Sequence, residues 1–196
     1  MDAAKIIQES LEQRTPMVIE DRLSRFRRAA VLVPLFRDSG EYKVLFTKRT
    51  NRVDTHKGQI SFPGGAVDEG DASLAETALR ETYEEVGVFR EDVIVLGRTD
   101  DTLTLASGFI ISPFVGLIPH PYDFRINEHE VKRIIEIPLM FFFEREPKDR
   151  MGDVEYDGGT YHGLTYPYKG EMIWGATARI MGDLTEILDG KLDLPE

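Results

Sequence analysis

The stretch from Phe62 to Val88, FPGGAVDEGDASLAETALRETYEEVGV, constrains the fold more than any other part of the chain. Ser73, followed three residues later by Glu76, makes a capping box, in which hydroxyl and carboxylate satisfy the amide donors that a helix start leaves orphaned. Gly87 stands where a left-handed residue would end the helix. Between these signals lie about three and a half turns, at 3.6 residues per turn. At roughly 100° per residue, Ala75, Ala78, Leu79, Thr82, Tyr83 and Val86 share one stripe. Arg80, Glu81, Glu84 and Glu85 fall on the opposite arc. One face should therefore pack, while the other gathers three carboxylates.

Like charges at these spacings repel, so the arrangement is unfavourable unless a cation shares it. Hard oxygen ligands on one rigid face suit Mg2+ or Mn2+, ions that keep several waters and bridge to substrate phosphates. A solvated acidic surface is the plain alternative. The context favours the ion. Pro63-Gly64-Gly65 precedes the helix, and its backbone can turn tightly and approach a ligand. Arg80 is set beside Glu81 to orient it. The run Arg80–Val88, RETYEEVGV, resembles the R-E-U-x-E-E-x-G-U half of the Nudix box, with Thr82 standing where a bulky aliphatic is preferred. The resemblance implies a Nudix hydrolase of the α/β class, an α/β/α sandwich with a central mixed β-sheet. The first half of the box departs further. Asp71 occupies the place of an expected Glu, and one extra residue precedes Arg80. Asp71 is expected to serve loop structure at the helix N-terminus, where negative charge is favoured.

A chain of 196 residues, 41% hydrophobic and 30% charged, suits one globular domain with a sizeable core. We expect a single domain over 1–196, with a helical extension at 1–27 and the Nudix core at 28–190. The net charge of −11 argues against nucleic acid or an anionic membrane as partner. A small phosphorylated ligand stays open, because a bound metal and a local basic cluster can reverse the field. Without cysteine there are no disulfides, zinc–thiolate sites or thiol nucleophiles. The N-terminus lacks the basic and apolar regions of a signal peptide, so the cytoplasm is the default. The sequence leaves a homodimer open.

Taken in order, residues 3–13 read as a helix. Ala29 to Leu35 is a continuous apolar run, the mark of a strand covered on both faces. Asp38-Ser39-Gly40 is turn chemistry leading to a second strand, Tyr42 to Thr47. Lys48, Arg49, Arg52 and Lys57 follow in an expected loop that enters the box through Ile60-Ser61-Phe62. Further strands are expected at Val93 to Leu96, Phe109 to Ile118, Val131 to Ile137, Tyr161 to Tyr168 and Glu171 to Ile173. A short helix is expected from Pro138 to Phe143, and a loop or hairpin tip from Glu144 to Gly159. Trp174 to Leu188 reads as a closing amphipathic helix.

A second signature lies upstream of the box. Leu45-Phe46-Thr47-Lys48-Arg49-Thr50, with Gly58 and then Phe62-Pro63-Gly64-Gly65, resembles the pattern of the coenzyme A pyrophosphatase branch of the Nudix family. Asp54 falls where that pattern wants a second Arg, a charge reversal, and Arg52 or Lys57 would have to substitute. The resemblance implies a coenzyme A-like diphosphate substrate, cleaved to 3′,5′-ADP and 4′-phosphopantetheine. The resemblance of Arg80–Val88 to the Nudix box implies Glu81, Glu84 and Glu85 as metal ligands and catalytic groups, and Arg80 as the residue that positions them. Arg49, Arg52, Lys57, Gly64 and Gly65 would bind substrate, since Arg suits bidentate phosphate recognition. Glu84, Glu128 and Glu130 are candidates for the general base. His129 reads as a surface residue, and His56, in the basic loop, is a lesser candidate for a substrate contact. Tyr166, Tyr168 and Trp174 could stack a base, although aromatics near a strand–helix junction more often belong to the core. Two alternatives stand beside this reading: hydrolysis of ADP-ribose or a dinucleotide, and a Nudix-like binding module without catalysis.

Overall fold

The computed structural model describes residues 2–52, 57–144, 150–156 and 158–192. Asp54 and His56 lie outside them. The chain opens with α1 (Ala3–Glu12), which buries Ile7 and Leu11. β1 (Arg27–Asp38) and β2 (Glu41–Arg49) form the expected hairpin, paired from Leu35 with Val44 to Asp38 with Glu41. Its turn puts Ser39 (φ 51°) and Gly40 (φ 94°) in the left-handed region that a tight hairpin demands. β3 (Ile60–Ser61) and β4 (Gly64–Ala66) carry the glycine-rich entry, and α2 (Leu74–Val86) follows. Next come β5 (Ile94–Arg98), β6 (Thr102–Thr104), β7 (Phe109–Leu117) and β8 (Val131–Pro138). The expected short helix after Pro138 forms as a 3-10 helix, Leu139–Phe143. β9 (Met151–Tyr156), β10 (Gly159–Tyr168) and β11 (Glu171–Trp174) then lead into α3 (Gly175–Leu188).

The main sheet is mixed. β1 runs parallel to β7 and antiparallel to β2 and β4, while β8 pairs with β2, and β5 and β6 pair with β7. β9, β10 and β11 make a separate antiparallel sheet. Alternation along β1 explains the layers. Ala30 and Leu32 pack on Ala78 and Leu79 of α2. Val33 and Leu35 face the other way, into a cluster with Ile7 and Leu11 of α1 and Ile180, Met181 and Leu184 of α3. A strand buried on both faces must read as an unbroken apolar run, and this one does. The fold is thus the expected α/β/α arrangement around a mixed sheet. Among the described residues no helix is long and apolar enough to cross a membrane.

Three departures from the sequence reading bear on the site. Lys48 and Arg49 lie at the end of β2, paired with β8, instead of in a loop. Lys48 is spoken for, since both oxygens of Glu171 lie 2.7 Å from its Nζ. Part of the expected loop after Glu144 is β9, and residues 145–149 of it lie outside the described set. The short strand β6 was not foreseen; Thr102–Thr104 is too brief to show a period.

Candidate active site

α2 begins on Ser73, whose Oγ accepts the Glu76 amide at 3.2 Å, and ends on Gly87 in the left-handed conformation (φ 75°). A side chain at 87 would also meet Arg125 at 2.8 Å, so glycine is needed there for space as well as for φ. Only half of the capping box forms. The Glu76 carboxylate turns away to Arg90 Nη2 at 2.6 Å.

The faces of α2 differ from the expected ones in two places. Tyr83, assigned to the packed stripe, is 50% exposed and leans on Phe89. Glu85, assigned to the outer arc, is only 2% exposed. The helix packs on β1 and β4, and Glu85, seven residues after the fully buried Ala78, returns to within about 20° of the same face. Thr82, in the aliphatic place of the box, is fully buried and donates its hydroxyl to the Ala78 carbonyl at 2.6 Å. That back-bond satisfies the polar atom within its own helix.

Asp71 does more than shape the loop. Its carboxylate accepts Arg80 Nε at 2.9 Å and Nη2 at 3.1 Å, and also takes Thr77 Oγ1 and the Asp68 amide. The bonded guanidinium, helped by those donors against some desolvation, holds the Asp71 carboxyl well below the usual carboxylate range. Arg80, so fixed, donates Nη1 to Glu81 at 2.8 Å and to Glu84 at 3.2 Å, and Nη2 to the Ala66 carbonyl at 3.1 Å. Loop, strand β4 and helix α2 are thereby joined through one side chain.

Glu81 and Glu85 come together beneath the glycines. Burial pushes the Glu81 carboxyl up, Arg80 pulls it down, and Glu84 and Glu130 push it further up. Glu85 is pushed up to about 8, chiefly by burial. Arg49 and the Gly64 amide oppose that rise, whereas Glu130 and Glu81 add to it. Thr47 Oγ1 lies 3.3 Å from Glu85, and the nearest Arg49 nitrogen is 4.0 Å away. A Cβ on Gly65 would stand 2.4 Å from the Glu81 carboxylate carbon, and one on Gly64 would stand 2.5 Å from the Ala30 carbonyl oxygen. Backbone and carboxylate are as close as glycine alone permits.

Glu130 reaches this group from the 127–130 turn. The Asn127 amide donates to the Glu85 carbonyl at 2.9 Å, and the Thr50 amide donates to the Glu130 carbonyl at 2.8 Å. Thr50 Oγ1 donates to the His129 carbonyl at 2.7 Å. The turn is thus pinned to the end of α2 and to the end of β2. Thr47 and Thr50 lie within the upstream signature, but the sequence reading gave neither of them, nor Asn127, a role in the site.

A cavity of about 620 Å3 opens over these groups, with Arg49, Ser61, Gly64, Gly65, Glu81 and Glu130 in its lining. Of the expected substrate residues it gathers Arg49, Gly64 and Gly65. Arg52 and Lys57 are exposed and stand outside it. Glu84 also stands outside the lining, paired with Arg80. Tyr166 is core, edge-on to Phe142, and Tyr168 packs on Phe141, whereas Trp174 lines the cavity.

Among the described residues no three acidic or histidine side chains converge as a ready metal cluster. Arg80 draws Glu81 and Glu84 to itself, and Glu85 sits deeper. The donor set nonetheless fits a hard divalent ion. Glu81 and Glu85 stand beside the half-buried Gly64 and Gly65 backbone, with Glu84 and Glu130 close enough to Glu81 to raise its proton affinity, and oxygen ligands are what such ions take.

A family model described as NUDIX domain matches residues 26–148. The chain belongs to the Nudix family. The relative named Uncharacterized Nudix hydrolase NudL of Enterobacter sp. strain 638 is 38% identical over 171 residues, 86% of this chain and 86% of its own. The protein of that name from Yersinia enterocolitica is 39% identical over 158 residues, 81% of this chain and 80% of its own. The Nudix assignment as an enzyme, a diphosphatase, is borne out by these matches. Among solved structures, the MutT/nudix family protein of Enterococcus faecalis aligns with a TM-score of 0.57 at 16% identity, covering 96% of this chain and 70% of that one. The NUDIX domain of Shewanella oneidensis NrtR, solved with ADP ribose, gives 0.50 at 20% identity, covering 70% and 86%. At such identities the likeness concerns the Nudix fold alone.

Two predictions arise from the Nudix site itself. Between its ordinary value of 4.5 and about 8, folded Glu85 keeps a proton that the unfolded chain has lost. The folded state binds the extra proton, so stability of the metal-free protein should fall as pH rises through that window. A divalent ion needs the ionised carboxylate. Thermal unfolding in chelator should therefore show a lower Tm at pH 8.5 than at pH 5.5, and added Mg2+ should raise Tm more at the higher pH. Second, Gly65→Ala should lower kcat about 10²-fold with little change in Tm, because displacing a reacting group by about 1 Å has that effect. Unchanged kcat would show that the Glu81 position is not critical.

Proposed function

We propose that this Nudix enzyme hydrolyses the diphosphate of coenzyme A or one of its derivatives to 3′,5′-ADP and 4′-phosphopantetheine. Glu81, Glu85 and Glu84 would hold Mg2+ or Mn2+. The observation that carries the reading is a single cavity joining the carboxylates of Glu81 and Glu130 to Arg49 and the Gly64–Gly65 backbone, in a chain bearing the upstream Leu45-to-Gly65 signature. Bound there, a divalent ion supplies Lewis acidity toward the diphosphate oxygens. Arg49 presents a guanidinium to the phosphate, and the two glycines let the diphosphate approach the backbone. Arg80, locked by Asp71, positions Glu81. Water adds its oxygen to one phosphorus as the bridging P–O bond breaks, and Glu130 would accept the proton that water loses.

The exposed placement of Arg52 and Lys57 favours a second reading, hydrolysis of ADP-ribose or a dinucleotide, because neither supplies the second basic contact that Asp54 displaced. A panel of coenzyme A, ADP-ribose and dinucleotides with Mg2+ or Mn2+ decides between them. We expect kcat/KM for coenzyme A to exceed that for ADP-ribose by about tenfold or more, the worth of one good charged contact. The reverse order would establish the second reading.

A further inference from the structure

Part of the cavity that holds Glu81, Glu130 and Arg49 changes character. Its lining there is Leu103, Leu105 and Phe109 from the β6–β7 hairpin, with Tyr156, Tyr161 and Trp174 from the small sheet. The three aromatics form one cluster, with Trp174 5.0 Å from Tyr156 and 5.2 Å from Tyr161, the ring planes inclined by 56° and 51°. Arg179 Nη2 donates to the Leu103 carbonyl at 2.8 Å and ties the hairpin to α3. Leu105 is 77% exposed and Tyr156 37%. Large apolar groups left open beside a polar catalytic centre mark a place that something apolar covers.

A planar base is a poor occupant. The inclined rings leave no parallel slot between them, and the Thr104 hydroxyl is engaged with Phe109 and Ser107. A flexible saturated chain needs neither a slot nor edge partners. We infer that this apolar wing receives an acyl arm carried on the non-nucleotide half of the substrate, and so sets a preference for acylated over free substrate. The inference rests on the coenzyme A reading, continuing the same cavity beyond the diphosphate.

Trp174 is the only tryptophan in the chain, so its emission reports the wing without any turnover. With chelator present, lauroyl-coenzyme A should quench and blue-shift that emission with half-saturation about tenfold or more below that of coenzyme A, as burial of a few methylenes requires. Leu105→Asp, at an open position, should raise the lauroyl half-saturation about tenfold. It should also lower the lauroyl-to-free ratio of kcat/KM by a similar factor. Equal half-saturation for the two ligands, or a ratio unmoved by Leu105→Asp, would overturn the inference. The two readings fail separately. If Trp174 discriminates while neither ligand is hydrolysed, the wing stands and the substrate assignment falls. If coenzyme A is hydrolysed while Trp174 does not discriminate, the substrate assignment stands and the wing falls.

Discussion

Glu85→Gln is expected to lower turnover by about 10³-fold or more, roughly 4 kcal/mol of transition-state stabilisation. The side chain is buried, holds its proton up to about pH 8 without a cation, and sits with Thr47 and the Gly64 amide beneath the proposed ion. An amide fills the same space and keeps a carbonyl oxygen, but supplies no negative charge to bind the ion. The stability effect has the opposite sign. An ionised carboxylate in that position is a liability above its raised pKa, and the neutral amide removes it. Metal-free Glu85→Gln should therefore unfold at or above the wild-type temperature at pH 8.5. Circular dichroism with a substrate assay separates the two effects. Wild-type turnover in this variant would refute the metal-site reading, and collapse of the fold would refute the account of Glu85 as a buried liability.

Asp101→Ala should be the most damaging single change far from the carboxylates. The Asp101 side chain is fully buried and accepts Ile19 N at 3.0 Å, Arg28 Nη1 at 3.0 Å, Ser112 Oγ at 2.7 Å and the Arg98 guanidinium. Its own amide donates to the Met17 carbonyl at 2.9 Å. Removing one partner of such a network leaves charges and a hydroxyl in a dry place, typically a loss of 3–5 kcal/mol. Because Arg28 and Arg98 retain some solvent access, the lower figure of about 3 kcal/mol applies, or roughly 6–12 °C in Tm for a chain of this size. The segment before β1 should become protease-sensitive first, since Asp101, together with Asp100, ties it down. A Tm within about 1 °C of wild type would show that water replaces the lost acceptor.

Features encoded by neighbouring residues were readable from the sequence. Ser73 and Gly87 act within a turn of themselves, so α2 was placed correctly, and the run through Leu32 and Val33 announced a strand covered on both sides. The hairpin at Ser39-Gly40 was equally local. What depends on how elements lie across one another was not readable. The misplacement of Glu85 is not of this kind: it lies seven residues after the fully buried Ala78, about 20° from it around the helix, so periodicity itself sets it by the packed face. Glu130 was one candidate among several because its approach depends on Thr50 and Asn127, far apart in the chain. The Asp101 network joins four segments, and the aromatic wing unites β9, β10 and β11 with a hairpin tip; no window of sequence spans either.

The joint between Asp71 and Arg80 bears on how the chain can be altered. Gly65 and the start of α2 are held in place at both ends of their connection, so the number of residues in between is free to vary while the clasp stays shut. That explains how an additional residue fits there without shifting Glu81. It also makes the outward bend at Glu69-Gly70, where a Cβ on Gly70 would meet nothing within 4 Å, a natural point for splicing in a reporter.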